Sequence, residues 1–109
     1  MNVFSGRPIK FQDRDVRADD VCAAMINLKH AAQEAFGNKN IDSVAVEGFE
    51  NKNGMNIRSL DVYFTVESRG LRRRKFIDDW VMPTTDDKGE VHRDKIPIGF
   101  RFAQPQGVR

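Results

Sequence analysis

Five cations fall within seven residues of this chain: Arg69, Arg72, Arg73, Arg74 and Lys75, separated only by Gly70 and Leu71. A guanidinium offers paired N–H donors in a fixed fork that matches a phosphate or a carboxylate, and an ammonium adds a mobile point charge. So dense a run suits an anionic polymer or an acidic protein surface. If the run is extended, alternation sends Arg72 and Arg74 to one face and Arg73 and Lys75 to the other. Arg101 is a further candidate cation. Tyr63 and Trp80 supply flat rings that could stack on an unpaired base. The competing structural reading is a solvated edge strand, since cations on an edge keep sheets from pairing. Glu67, Asp78 and Asp79 stand close enough in sequence to neutralise it.

No other constellation points as clearly to chemistry. Cys22 and His30 are eight apart on an expected helix, which puts them about 80° apart around it and two turns along it, out of contact. Asp86, Asp87, Glu90, His92 and Asp94 gather oxygens and one imidazole around a hairpin. They lack the spacing of a calcium loop, and no Cys or His pair offers a zinc site. Glu50 with Lys52 and Asp86 with Lys88 match the acid-x-Lys triplet of metal-dependent nucleases, but both lie in turn-like segments. The glycines are scattered and build no phosphate cradle before a helix. The sequence therefore assigns no catalytic residue, metal or cofactor.

The totals frame this reading. The chain has 109 residues, 39% of them hydrophobic and 31% charged, with eight Phe and one Trp. That is the size of one domain with a packed core. Net charge is only +2, and the five charges of 69–75 leave the remainder at −3. Such a chain has a cationic focus on a mildly acidic body, not the overall positive field of a protein that coats DNA. Cys22 is the only cysteine, which allows no internal disulfide and fits a reducing compartment. The first residues lack the apolar stretch of a signal peptide, and no run reaches the roughly 18 apolar residues of a membrane span. The expected location is cytoplasmic.

The elements that must position these residues can be read from periodicity. Val21, Met25, Leu28, Ala32 and Phe36 draw one apolar stripe over residues 20–36. Asp19 or Asp20 is the expected N-terminal cap and Gly37 the expected left-handed stop. The period then becomes two. Strands are expected over 41–49, around Leu60, Val62, Phe64 and Val66, over 71–82 and over 96–102, with turns at 51–54, 69–70 and 86–89. Ile9 and Phe11, next to Pro8, suggest a short N-terminal edge strand within an arm of residues 1–15. Residues 104–109 read as a flexible tail.

The order of elements predicts a single α+β domain. One amphipathic helix packs on a mainly antiparallel four-stranded sheet in a two-layer sandwich, leaving Asp61, Tyr63 and Thr65 on an open face. The expected function is a small non-enzymatic binding protein that engages a nucleic-acid backbone through the basic hairpin. Arg69, Arg72, Arg73, Arg74, Lys75 and Arg101 would serve the anion, and Tyr63 or Trp80 the flat contact. The alternative is an accessory or inhibitor protein of the mobile-element kind. It would dock on the acidic surface of a larger nucleic-acid-handling complex. Either form would be a monomer or a homodimer joined at an edge strand.

Overall fold

Helical and alternating periodicities resolve into one α-helix, one 3₁₀ turn and seven strands in a computed structural model, which describes residues 8–65, 76 and 80–102. The strands β1 (Ile9–Phe11) and β2 (Arg14–Val16) precede the helix α1 (Ala18–Phe36) and the 3₁₀ turn Asn38–Asn40. There follow β3 (Ile41–Asn51), β4 (Gly54–Phe64), β5 (Met82–Thr85), β6 (Val91–Asp94) and β7 (Ile98–Phe102). The α+β class stands. The basic run 69–75 and the tail 104–109 lie outside the described residues, as does most of the segment expected as a strand over 71–82.

The helix forms where the stripe puts it and buries Val21, Ala24, Leu28 and Ala32 completely. Ala24, rather than the longer Met25, is fully buried, while Met25 and Phe36 pack partly buried at the core margin. Neither Asp19 nor Asp20 caps the helix. Arg17 occupies the cap position without a side-chain bond, and the Asp20 carboxylate accepts the backbone N–H of Thr85 at 2.9 Å. That acceptor ties the start of α1 to β5 instead of its own first turn. Gly37 ends the helix at φ 101°, ψ 135°, a conformation outside the left-handed helical region, and its N–H bonds to the Gln33 carbonyl. Only glycine reaches that corner of backbone space without strain.

The sheet departs from the expected meander. β4 pairs antiparallel with β3 along its whole length, from Ile41↔Phe64 to Asn51↔Gly54. Its other edge is shared by two parallel partners in tandem, β1 beside Met55–Ile57 and β7 beside Leu60–Phe64. β2 closes a hairpin on β1. The result is a mixed five-stranded sheet with a separate two-stranded hairpin, β5–β6. Sequence neighbours argue for hairpins; a parallel pairing depends on a long crossover and leaves no local signal. The expected edge strand Ile9–Phe11 is accordingly internal, and Arg14–Asp15, expected only as part of the N-terminal arm, belongs to β2.

A further correction concerns Phe76 and Trp80. Phe76 is helical, and its carbonyl accepts the Trp80 N–H at 3.1 Å, one helical turn on. A spacing of four puts two side chains on the same face in a strand and in a helix alike, so the alternation expected here was ambiguous. Phe76 joins Phe36, Phe64 and Phe100 in an aromatic cluster, with ring centroids 5.1 to 6.1 Å apart. These rings seal the end of the core between α1 and the sheet.

Candidate functional site

Tyr63 and Arg101 are cross-strand neighbours. They are directly opposed in the parallel pairing of β4 with β7, and Asp61 opposes Gly99 two residues earlier. Phe64 and Phe100 turn to the helix, so alternation directs Asp61, Tyr63, Gly99 and Arg101 to the other face of the sheet. Ser43 lies opposite Tyr63 across β3, and Ala45 lies opposite Asp61. Around Asp61 and Tyr63 this face therefore carries one aromatic ring, one guanidinium, one carboxylate and small side chains, with Glu47 further along it, opposite Ser59.

Asp61 was expected to be open to solvent but is only 2% exposed. Gly99 makes its position possible. A Cβ built on Gly99 would stand 2.4 Å from Asp61 Oδ1, so the carboxylate occupies the space that any other residue in β7 would fill. A buried carboxylate must be paired and hydrogen-bonded. Here Ser59 Oγ donates to Oδ1 at 2.9 Å and Arg101 Nε donates to Oδ2 at 3.1 Å. The guanidinium end of the pair remains outside, since the Arg101 side chain is 56% exposed. Arg101 Nη1 and Nη2 make no hydrogen bond to a described residue. The carboxylate thus holds the inner edge of the guanidinium and leaves the outer edge clear.

Trp80 is half-buried and packs against the apolar core. Among the candidate residues that are described, the fold joins Tyr63 to Arg101. Arg69, Arg72, Arg73, Arg74 and Lys75 lie outside the described residues. Covalent continuity does fix one relation. β4 and β7 run parallel and end side by side at Phe64↔Phe102, the end of the sheet that carries Tyr63 and Arg101, and in sequence the basic run begins five residues after Phe64.

A second polar region lines a cleft of about 350 Å³ between β2, the start of α1 and the β5–β6 hairpin, where Arg14, Arg17, Asp20, Thr85, Asp86 and His92 meet. Its acidic residues serve the hairpin. Asp86 Oδ1 accepts the backbone N–H groups of Lys88 and Glu90, each at 2.9 Å. Asp86 Oδ2 lies 2.8 Å from His92 Nε2. The hydrogen bond from His92, followed by that from the Glu90 N–H, holds the Asp86 carboxyl below its ordinary value of 3.8. Asp86, Glu90 and His92 offer ligand atoms within 4.8 Å of one another, but both Asp86 oxygens are engaged in turn formation. Arg14 Nη2 meets Asp94 Oδ2 at 2.9 Å and Thr84 Oγ1 donates to the same oxygen. The first bond docks the hairpin on β2, as Asp20 docks it on α1, and the second ties β5 to β6 within it.

The Asp61–Arg101 pair was missed in the sequence, although two signals bore on it. A charged residue interrupts the run from Leu60 to Val62, and a glycine interrupts the alternation of Ile98, Phe100 and Phe102. Glycine inside a strand often marks a close approach, but nothing local says that the approaching group is a carboxylate 38 residues away by number. No protein-family model, curated protein or solved structure matches this chain.

Proposed function

We propose that this protein is a small binding protein, without a chemical step of its own, that engages a nucleic-acid backbone through the basic run 69–75 and the adjoining end of the sheet. One observation carries the reading: Tyr63 and Arg101 lie side by side on the face turned from the helix, next to the end of β4 at Phe64, five residues before the run begins in sequence. Cations would neutralise phosphates while the ring and the guanidinium engage what lies beyond the backbone. Filter binding of DNA and RNA at low ionic strength tests this. Retention that is lost when Arg72, Arg73 and Arg74 are replaced by Ala is the expected result, and no retention of either polymer contradicts it.

A second reading is favoured by how cations of the body are matched. Lys10 meets Asp15 at 3.0 Å, Arg14 meets Asp94 at 2.9 Å and Arg101 meets Asp61 at 3.1 Å. Pairing of this kind shrinks the field felt at a distance by a polyanion, and suits a local contact with an acidic protein. Capture of partners on the immobilised protein separates the readings: nuclease treatment removes a partner held through nucleic acid and leaves one held by protein contact.

A further inference from the structure

We infer that Tyr63 and Arg101 form a nucleotide subsite that selects single-stranded over double-stranded nucleic acid. Arg101 binds one phosphate through its terminal amino groups, and Tyr63 stacks on an unpaired base. The inference rests on the nucleic-acid reading and narrows it to a polymer class.

The first support is the way Arg101 is held. A free arginine on a surface must give up side-chain freedom to bind an anion. Here that freedom is already restricted, because Nε is bonded to a carboxylate 2% exposed, itself held by Ser59. The bond uses the inner N–H and leaves Nη1 and Nη2 without a partner among the described residues. Those two groups form the edge of the fork that contacts phosphate oxygens. Asp61 is a positioning residue in this arrangement: it lies under the guanidinium, too buried to touch a ligand itself.

The second support is the neighbour. Tyr63 is directly opposed to Arg101, half-buried and on the same face, so ring and cation are offered together. Bases in a duplex are stacked on one another and show only their edges, whereas an unpaired base has a free face for an aromatic ring. A duplex could satisfy Arg101 and the basic run but could not use Tyr63. Ser43 and Ala45 flank the ring and the carboxylate across β3, and neither is bulky enough to wall off a base. The chemistry therefore distinguishes polymer types by strandedness, with little dependence on sequence.

The test is fluorescence anisotropy with a labelled mixed-sequence oligonucleotide of about 12 nucleotides, a length within the range of single-strand site sizes. The oligonucleotide is used alone and annealed to its complement. The unaltered protein is expected to bind the single strand roughly tenfold or more tightly than the duplex. Tyr63→Leu should remove that preference while changing duplex binding by less than about twofold. Arg101→Lys keeps the charge but loses the fork, and should weaken single-strand binding with the salt dependence nearly unchanged. If either variant is unstable by thermal melting, the ring resonances of Tyr63, the only tyrosine, serve instead in the unaltered protein. They should shift on adding the single strand and stay in place with the duplex at equal occupancy. Equal binding of both polymers by the unaltered protein, or variants that bind as it does, would overturn the subsite and leave the basic-run reading intact. Failure of the unaltered protein to bind either polymer would remove both.

Discussion

Asp61 carries the least expected physics of any single residue. It is a charge inside a sheet, satisfied by Ser59 and Arg101 and admitted by the missing side chain of Gly99. Gly99→Ala should therefore destabilise the protein by about 1–3 kcal/mol, since the new methyl must displace a hydrogen-bonded carboxylate with little room to move. A denaturant midpoint shifted by less than a fifth of that would show that β7 can relax away. Asp86 makes a different prediction, tied to pH. Its folded-state pKa is depressed below 3.8 by His92 and the turn N–H groups. The stability it adds is thus present above the unfolded value and is lost as pH falls through the folded one. Thermal melting of Asp86→Asn beside the unaltered protein should show a gap at neutral pH that closes in strong acid. A gap that widens on acidification would reverse the sign. Neither network could be read from neighbours in the chain. Asp86 was legible as a turn former, whereas the burial of Asp61 depends on a strand placed beside it only by the complete topology.

Among the elements, α1 was the most legible, because its signal repeats over 19 residues. The turn of the β5–β6 hairpin was legible from Asp86, Lys88 and Gly89, but its two strands, Met82–Thr85 and Val91–Asp94, were not expected; β3 was legible from its switch to alternation. β4 was seen only in its second half. Its pairing with β3 shifts register between Glu47 and Gly48, which face Ser59 and Ile57 and leave Arg58 as the extra residue. That irregularity puts Ile57 and Leu60, three apart, on one buried face, and breaks the period-two pattern that would have announced the strand. The turn between β1 and β2 hides its nature differently. Gln12 and Asp13 have φ of 49° and 69°, the left-handed pair of a tight hairpin turn, without the usual Asn-Gly. Asp13 is secured by mutual hydrogen bonds with Asn56, but no hydrogen bond to a described residue anchors the Gln12 side chain, and its backbone bears the strain. Gln12→Asn should raise stability by up to about 1 kcal/mol, because asparagine enters this region more readily. A lower melting temperature in that variant would show that the Gln12 side chain contributes something the turn geometry does not reveal.

At the scale of the whole molecule, two parallel pairings close the fold, and both bring distant segments to β4. One places β1 against its first half; the other places Arg101 against Tyr63. The α+β class, one domain and the helix-on-sheet layering followed from composition and periodicity. The mixed topology did not, since parallel strands leave no trace in neighbouring residues. No helix among the described residues is long and apolar enough to cross a membrane. What remains is a polar sheet face that joins Tyr63 to Arg101, and a run, 69–75, that concentrates five cations in sequence. Its function is decided by the salt dependence of single-strand binding. The five cations of the run, one phosphate each, contribute about −3.5 to the slope of log K against log salt, and replacing Arg72, Arg73 and Arg74 by Ala should make it shallower by about 2. Binding that is insensitive to salt, or a slope that the triple replacement leaves unchanged, would contradict a working surface built on those cations.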